Sequence, residues 1–347
     1  MMKKKIYIVS HSSIDLVSVL NLYERYRRQC DVTIVISGTE ENLRFLQSVD
    51  VPESALRFLN FESRNNKNKK RLARYLRQLL AEKRMLDELI TEISVNSGVE
   101  LFFHSYDNDP QAGYLAARVA ETNRVTLVDV LGMKPKPLNA RGLLSCIGIK
   151  NMLYLVIINF VFGRLFMLSG TRSCPLLSLN LGRVKIANEL KSVRTPASHL
   201  AEYRYPISGN GRKAVFLYAD SFGVSEQQHA SINREVVDCL VRIGLNIHVK
   251  IHPQSRPPDF LDDCNVRYIP QYVPFEFVDL TNVSLVIGLA GASLLCTEGV
   301  PTVSLLRLMY PMDSDLYVSA MTQTSQNPAI VYVSSVDELE NVVAGLG

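Results

Sequence analysis

The sequence predicts an α/β protein of two domains, each built on a largely parallel sheet. Its 347 residues exceed what one hydrophobic core usually holds, since single domains seldom grow beyond about 250–300 residues. Hydrophobic residues make up 47% of the chain and charged residues 21%, a composition typical of globular proteins. Strand-like and helix-like segments alternate twice, once on each side of a polar, turn-rich stretch at 205–212.

The first alternation predicts an open sheet with helices between its strands. Runs rich in β-branched and apolar residues predict strands at 6–9, 31–37, 99–104 and 125–130. Apolar residues at helical spacing predict helices at 16–26, 40–46, 72–80 and 111–122. Because the two kinds of segment alternate, the sheet is expected to be mostly parallel.

Residues 152–168 form the most hydrophobic stretch and must be tested as a membrane span. About 17 residues is the lower limit for crossing a bilayer, and Arg164 interrupts the run. We expect instead a buried helix, or a helix on the inner leaflet with Lys150 and Arg164 near lipid phosphates.

The second alternation predicts a second sheet. Strands are expected at 214–218, 246–251, 284–288, 301–306 and 330–333. Helices are expected at 225–243, at 275–280, from 293 onward, and from Ser335, which forms a capping box with Glu338. We therefore predict an N-terminal domain at 1–204, a C-terminal domain at 213–334, and a helix at 335–347 that returns to the N-terminal domain.

Cysteine spacing and the N-terminus both indicate a cytoplasmic protein. The six cysteines are scattered without paired or zinc-finger spacing, which favours reduced thiols and no zinc site. The apolar run after Lys3-Lys4-Lys5 is short and β-branched, and it lacks the small-residue cleavage site of a signal peptide.

Basic charge is concentrated at 64–84, where nine Lys and Arg residues accompany a single acid, Glu82. Beyond Tyr75 the cluster lacks interleaved aromatic residues, and it matches no nucleic-acid-binding module, so no nucleic-acid partner is predicted. The default interpretation is a solvated helix face. Contact with an anionic membrane or an anionic glycan acceptor is the alternative hypothesis.

The sharpest chemical signal is His248-Val-Lys250-Ile-His252-Pro253. In a strand the two histidines and Lys250 share one face, an arrangement that is costly unless that face meets a cleft or an anion. Pro253 ends the ladder and so places His252 at the carboxyl end of its strand, where open α/β sheets bind ligands. An edge strand with solvated polar residues is the competing interpretation.

A second signal combines a strand with a loop of small residues, Gly288-Leu-Ala-Gly291-Ala-Ser293. Small residues let the main chain approach a phosphate, and N–H groups at a helix start can bind it. Ser293 adds a hydroxyl for the same ligand, or it simply caps the helix. Glu298 follows as a candidate acceptor of hydrogen bonds from ribose hydroxyls.

These residues resemble three motifs of the bacterial sialyltransferase and polysialyltransferase superfamily. Lys250-Ile-His252-Pro253 matches K-x-H-P, Pro274-Phe-Glu276 matches P-x-E, and Gly291-Ala-Ser293 matches the serine-bearing loop. The resemblance extends over roughly 213–306 and is looser in the N-terminal half. It implies the GT-B fold, two Rossmann-like domains facing each other across a cleft.

The resemblance also implies roles for the matched residues. The donor-binding set would be Lys250, His252, Pro253, Glu276, Gly291, Ala292, Ser293 and Glu298. Within this set, His252 would contact the donor phosphate and act in catalysis, and the Ser293 loop would bind phosphate or the sugar carboxylate. Bacterial enzymes of this kind act in capsule or lipopolysaccharide biosynthesis.

The base that deprotonates the acceptor is harder to place. The superfamily carries two acids and a glycine at the end of an N-domain strand, where this chain has Asp129-Val-Leu-Gly132. Asp129 is the first candidate, although it also fits a turn residue after a strand. His104, Asp107 and Asp109 are the alternative bases. Asp107-Asn-Asp109 fits a metal-binding D-x-D pattern too, but Asp109-Pro110 is typical of a helix cap, and we predict no metal cofactor.

The sequence therefore predicts an inverting glycosyltransferase that moves a sialic acid or related nonulosonic acid from a CMP-activated donor to a glycan or glycolipid. The CMP-sugar is a co-substrate, and no cofactor is expected. Alternatives with the same fold are a CDP-glycerol-type glycerophosphotransferase, a Kdo transferase, and a degenerate GT-B module that binds without turnover. The predicted location is the cytoplasm, with possible peripheral contact at the inner face of the plasma membrane.

Overall fold

A computed structural model describes most of the chain. The described residues are 3–61, 72–96, 98–104, 109–129, 149–170, 175–191, 197–219, 224–252, 255–289, 292–295, 297, 299–311 and 329–345. The chain divides into two compact units, Met1–Thr195 and Pro196–Gly347. The division falls ahead of the stretch at 205–212 that the sequence suggested as the connection.

The first unit is an α/β unit built on a parallel sheet. Its strands are β1 Lys5–Ser10, β2 Asp31–Ile36, β3 Leu56–Phe58, β4 Glu100–Phe103, β5 Arg124–Asp129, β6 Phe166–Gly170, β7 Pro175–Leu179 and β8 Asn188–Lys191. Its helices are α1 Leu16–Tyr26, α2 Glu40–Ser48, α3 Leu72–Ser94, α4 Pro110–Val119 and α5 Ile149–Phe162. The parallel strands lie in the order β3-β2-β1-β4-β5-β8, and β6 pairs with β7 in antiparallel fashion.

The second unit repeats this plan. Its strands are β9 Tyr205–Pro206, β10 Lys213–Tyr218, β11 Asn246–Ile251, β12 Val266–Ile269, β13 Val278–Asp279, β14 Leu285–Gly288, β15 Thr302–Ser304 and β16 Ile330–Tyr332. Its helices are α6 Glu226–Arg242, α7 Ala292–Leu295, α8 Leu306–Met309 and α9 Val336–Ala344. The main sheet has the order β12-β11-β10-β14-β15-β16, and β9 pairs with β13.

Both main sheets follow the Rossmann order, in which the strands run 3-2-1-4-5-6 by their sequence within the sheet. All the pairings of the main sheets are parallel, for example β1 with β2 and β4, and β10 with β11 and β14. The prediction of an α/β fold with two Rossmann-like halves is therefore confirmed. The winding reverses between β1 and β4 in the first sheet and between β10 and β14 in the second, and such reversals are where open α/β sheets bind ligands.

Local side-chain chemistry explains why several helices begin where they do. Asp109 accepts the main-chain N–H of Ala112 at 3.1 Å and precedes the proline that opens α4. At α9, Ser335 accepts the N–H of Glu338 at 3.1 Å, and the Glu338 carboxylate accepts the N–H of Ser334 at 2.7 Å. The capping box predicted from the sequence is thus present.

The most hydrophobic stretch is not one continuous helix. Helix α5 ends at Phe162, and Gly163 and Arg164 both adopt positive φ, +86° and +59°. The chain then continues as strand β6. The predicted helix at 152–168 is therefore correct as far as Phe162 and wrong beyond it. A glycine in the left-handed region is a common helix end, which gives the physical reason for the break.

Two expectations for the second half are corrected. Residues 205–206 pair with β13 and therefore belong to the second unit. The predicted helix at 275–280 is a 3-10 turn over Phe275–Phe277 followed by strand β13. Leu339 and Val343 of helix α9 are buried in the core of the second unit, and the return of this helix to the N-terminal domain stays a prediction.

We predict that Gly288→Ala destabilises the second unit. A Cβ at this position would lie 2.9 Å from the side chains of Leu217 and Leu294, closer than packed carbon atoms allow. The expected loss is about 1–3 kcal/mol, seen as a lower melting temperature. Gly345→Ala is the matched control, because its added methyl group would meet atoms only at 3.5 Å and beyond. Equal melting temperatures of the two variants would contradict the packing argument.

Candidate functional site

The carboxyl end of β11 carries a buried lysine. Lys250 is 6% exposed, and its Nζ donates to the main-chain carbonyls of Ile251 at 2.9 Å and Gln271 at 3.1 Å. Burial lowers the pKa of Lys250 to about 8, and the nearby carboxylate of Glu276 acts in the opposite direction. Two of the three ammonium donors are therefore used to hold the main chain where the strand ends.

The turn after β11 is held from two sides. His252 donates its main-chain N–H to the carbonyl of Tyr218, at the end of β10, at 2.8 Å. Gln271 donates from Nε2 to the carbonyls of His252 at 2.9 Å and Ser255 at 3.0 Å. The side chain of His252 is exposed on this turn. A histidine is therefore presented at the strand edge on a main chain whose position is fixed.

The structure brings together only part of the predicted donor-binding set among the residues it describes. Lys250 and the carboxylate of Glu276 interact at the end of β11, and His252 is the next residue after that strand. Ser293 is partly exposed on α7, which follows β14 on the other side of β10. Pro253, Gly291 and Glu298 and the side chain of Ala292 lie outside the described residues.

His248 does not share the exposure of His252, although the strand alternation suggested one common polar face. It is 4% exposed, and its Nε2 has no hydrogen-bond partner among the described residues. The pKa of His248 is lowered, first by burial and then by the charges of Arg267 and Lys213. A neutral, packed imidazole is the result, which suits a core position better than an anion site.

In the first unit the candidate bases separate into three groups. Asp107 lies outside the described residues, as does the side chain of Asp129 at the end of β5. His104 is buried, with Nδ1 2.9 Å from the carbonyl of Val9 and Nε2 3.0 Å from the hydroxyl of Ser18. Burial lowers the pKa of His104. Both ring nitrogens are engaged within the unit, so His104 is a structural group.

Asp109 is the third candidate, and its carboxylate is completely buried. Its Oδ1 caps α4, and its Oδ2 accepts the hydroxyl of Ser37 at 3.2 Å. The same Oδ2 lies 2.8 Å from Nδ1 of His11, whose side chain keeps 26% of its exposure. Asp109 therefore has no exposed oxygen for an acceptor, but it is within ion-pair distance of a histidine that reaches the surface.

His11, Ser37 and Gln271 were missed by the sequence reasoning. His11 follows β1 directly, just as His252 follows β11, so the rule that ligands bind at carboxyl strand ends would have found it. Ser37 follows β2 in the same way. Gln271 carries no such signal, because its role depends on a turn far away in the sequence.

Metal ligation has no clear basis in the described part of the chain. Across the described ranges, no group of three or more His, Cys, Asp or Glu side chains is arranged to hold an ion. The D-x-D pattern at Asp107-Asn-Asp109 falls partly outside those ranges, and the carboxylate of Asp109 is already occupied by protein donors.

Comparisons with known proteins add a likeness of fold. No protein-family model and no curated protein matches the chain. Similar solved structures include a putative UDP-N-acetylglucosamine 2-epimerase from Listeria monocytogenes, at 12% identity and a TM-score of 0.47, covering 100% of this chain and 88% of that one. Others are the E. coli heptosyltransferase WaaC with ADP (11%, 0.46, covering 99% and 100%) and Arabidopsis thaliana UGT89C1 complexed with UDP-L-rhamnose (12%, 0.46, covering 99% and 89%). At these values nothing about function follows from the likeness.

We predict that stability depends on pH through Lys250. Its pKa falls from 10.5 to about 8 on folding, so between these values the unfolded chain binds a proton that the folded protein has released. The free energy of unfolding attributable to Lys250 therefore rises as pH rises through this window, by at most about 3 kcal/mol.

The measurement is urea unfolding of the wild type and Lys250→Met from pH 7.5 to pH 10.5. Other groups that titrate in this range, such as tyrosines, cancel in the difference between the two proteins. We expect the free energy of unfolding of the wild type to rise relative to that of Lys250→Met as pH rises. Parallel stability curves would show that the ammonium is not buried as described.

Proposed function

We propose that the protein is an inverting glycosyltransferase that moves a nonulosonic acid from a CMP-activated donor to a glycan or glycolipid hydroxyl. The observation that carries the proposal is the exposed imidazole of His252, presented on a fixed turn at the carboxyl edge of a Rossmann sheet. The K-x-H-P, P-x-E and serine-loop motifs support the CMP-sugar as donor. The partly exposed Ser293 follows the strand on the other side of β10.

The proposed reaction is a single displacement at the anomeric carbon. A base takes the proton of the acceptor hydroxyl while its oxygen bonds to the anomeric carbon. The bond between that carbon and the phosphate oxygen breaks, and its electron pair leaves with CMP. His252 in its protonated form stabilises the charge that develops on the phosphate. Lys250 acts by holding the turn that carries His252.

Two alternatives change the donor and keep the fold, namely CDP-glycerol and CMP-Kdo. A third alternative is a degenerate GT-B module that binds the nucleotide without turnover. Each of the three uses the same anion-binding edge, so the edge alone does not separate them. Nucleotide preference and turnover must be measured independently.

We predict that cytidine nucleotides bind and that UDP and GDP bind weakly. CMP at 100 times its dissociation constant should stabilise the protein by about 2.7 kcal/mol, detectable as a thermal shift. His252→Ala should lower turnover with CMP-nonulosonate by about 100- to 10,000-fold and leave the melting temperature of the free protein unchanged, because its side chain is exposed.

Asp263→Asn is a suitable control, since it removes a surface ion pair with Arg234. Equal stabilisation by all four nucleotides would remove the basis for a CMP donor. Binding of CMP without transfer from any of the three donors would favour the binding module.

We also expect turnover to survive EDTA, because the proposed charge stabilisation comes from the imidazole of His252. Loss of activity that is restored by Mg²⁺ would contradict this.

We further propose that the first unit docks on the anionic inner face of the plasma membrane. On α5 the side chains of Leu153, Val156 and Phe160 are 47%, 59% and 77% exposed, and their spacing puts them on one helix face. No helix among the described residues has both the length and the apolar character needed to cross a membrane. An exposed apolar stripe of this kind suits shallow insertion into a bilayer surface.

Basic side chains supply the charge complementarity that favours an anionic bilayer. Arg183 donates to the carbonyl of Arg164 at the end of α5, and both side chains are exposed. Helix α3 packs beside α5 through the rings of Tyr75 and Tyr154, 6.2 Å apart. Over its first half, α3 exposes Arg74, Arg77 and Arg84, whereas Glu82 is buried. Cationic groups near an apolar stripe bind anionic lipid headgroups.

We predict that the protein cosediments with vesicles containing phosphatidylglycerol and not with pure phosphatidylcholine vesicles. The double variant Leu153→Ser and Phe160→Ser should weaken binding by at least about tenfold, since each buried apolar side chain contributes roughly 1.5–3 kcal/mol. Val241→Ser, 43% exposed on α6, is the control. Equal sedimentation of both variants, or binding that ignores lipid charge, would contradict the proposal.

A further inference from the structure

We propose that residues 207–211 form an acid-sensitive strap on one face of the main sheet of the second unit, and that protonation of His248 loosens it. The strap lies between β9 and β10, so the chain passes through it before it joins that sheet. All the groups that carry the proposal belong to the second unit, and none of them is a member of the candidate donor-binding set. The inference therefore goes beyond the proposed function and does not depend on it.

Three basic side chains on neighbouring strands hold the beginning of the strap. Lys213, the first residue of β10, is 7% exposed, and its Nζ donates to the carbonyl of Ile207 at 3.2 Å. Arg267 on β12 donates from Nη1 to the carbonyl of Ser208 at 3.3 Å. His248 on β11, the strand between these two, also hydrogen-bonds to the main chain of Ser208. Basic groups from three strands thus meet at two successive carbonyl groups.

The rest of the strap follows the sheet closely. Gly209 and Gly211 both adopt positive φ, +104° and +83°, which side chains other than glycine rarely allow. A Cβ on Gly209 would lie 2.6 Å from Nη1 of Arg267, so the main chain passes directly beside that guanidinium. Asn246, the first residue of β11, donates from Nδ2 to the carbonyl of Asn210 at 2.7 Å. The strap is therefore held along its length by side chains from the starts of the strands.

The imidazole of His248 lies among positive charges and is almost completely buried. It is 4% exposed, and the sheet register puts Arg267 directly beside it on the same face, which Lys213 also shares. Nε2 has no hydrogen-bond partner among the described residues, so Nδ1 makes the contact with Ser208. Because a carbonyl oxygen only accepts hydrogen bonds, Nδ1 carries the hydrogen, and the lone pair of the neutral ring is on Nε2.

Protonation of His248 places a positive charge where the described part of the chain offers no compensation. The new proton is on the buried Nε2, and the charges that act on the ring are those of Arg267 and Lys213. Burial, followed by these two cations, lowers the pKa of His248 below its ordinary value of 6.5. Once the strap opens, water reaches the ring and proton uptake becomes easier. The strap is therefore fully stabilised above about pH 6.5 and weakens as pH falls from there toward the lowered pKa.

The other charged contact of this segment keeps its charge over the same pH range. Nη1 of Arg204 lies 3.7 Å from the carboxylate of Asp279 on β13. The hydroxyl and the main-chain N–H of Thr281 donate to that carboxylate and lower the pKa of Asp279 below its ordinary value of 3.8. Loosening between pH 7.5 and pH 5.0 is therefore attributed to His248 and not to this ion pair.

The test measures how often the strap opens, by methyl relaxation-dispersion NMR on the full-length protein. Ile207, whose carbonyl Lys213 holds, is 8% exposed, so its methyl groups report the opening. Between pH 7.5 and pH 5.0 the population of the open strap should rise by at least about fivefold. His248→Asn should abolish this rise, because an amide can still donate to Ser208 and takes up no proton at these pH values.

Two further variants separate the effect of charge from the effect of lost packing. Arg267→Gln removes one positive charge beside the ring, so the rise should be smaller, and the pKa of His248 in an NMR titration should move toward 6.5. His252→Ala alters an exposed side chain and should respond to pH as the wild type does.

The methyl groups of Ile247, which is buried in the core of the second unit, are the reference for opening of the whole unit. An equal change at Ile207 and Ile247 would overturn the proposal, because it would show that the unit loosens as a whole. A pH-independent population in the wild type, or an unchanged rise in His248→Asn, would overturn it as well. An unchanged response in Arg267→Gln would overturn the role of the neighbouring charge.

Discussion

Strand ends in a buried parallel sheet set the main constraint on this protein, because their carbonyl groups are shielded from water and still need donors. Polar side chains meet that need at both carboxyl edges. In the first unit a ring nitrogen of His104 contacts the carbonyl of Val9. In the second unit the ammonium of Lys250 donates to the carbonyls of Ile251 and Gln271. These polar groups therefore have a structural role in the fold, whether or not they take part in a reaction.

Two charged groups are buried at these edges, and their partners differ. Lys250 donates to two carbonyl groups, and desolvation outweighs the attraction of Glu276 and lowers the pKa of Lys250 to about 8. Asp109 is also fully buried, but it faces a hydroxyl, a main-chain N–H and an imidazole, all of which can donate. Lys250 therefore holds the main chain at the strand end, whereas the carboxylate of Asp109 accepts from groups on three different segments.

At the carboxyl edge of each main sheet, one histidine side chain reaches the surface. His11 follows directly on β1, which borders the reversal of winding, whereas His252 follows β11, one strand away from the reversal. Both have their main-chain N–H groups bonded within their own unit.

Most of the fold could be predicted from the sequence, because alternating apolar runs and capping residues act over a few neighbouring positions. The capping box at Ser335 is of this kind, and so are most strands of the two main sheets, namely β1, β2, β4, β5, β10, β11, β14, β15 and β16. Strands β3, β8 and β12 were not predicted. The place of His252 at a strand end is equally local, since Ile251 is the last strand residue before Pro253.

What only the tertiary structure decided depends on contacts between distant residues. The strand alternation predicted one common face for His248 and His252, but it could not show that His248 is buried and His252 exposed. The pairing of His11 with Asp109 joins the ends of two strands that are far apart in sequence and adjacent in the sheet. Local patterns determine which segments become strands and helices; the order in which strands pack determines which polar side chains meet, because only packing removes water from between them.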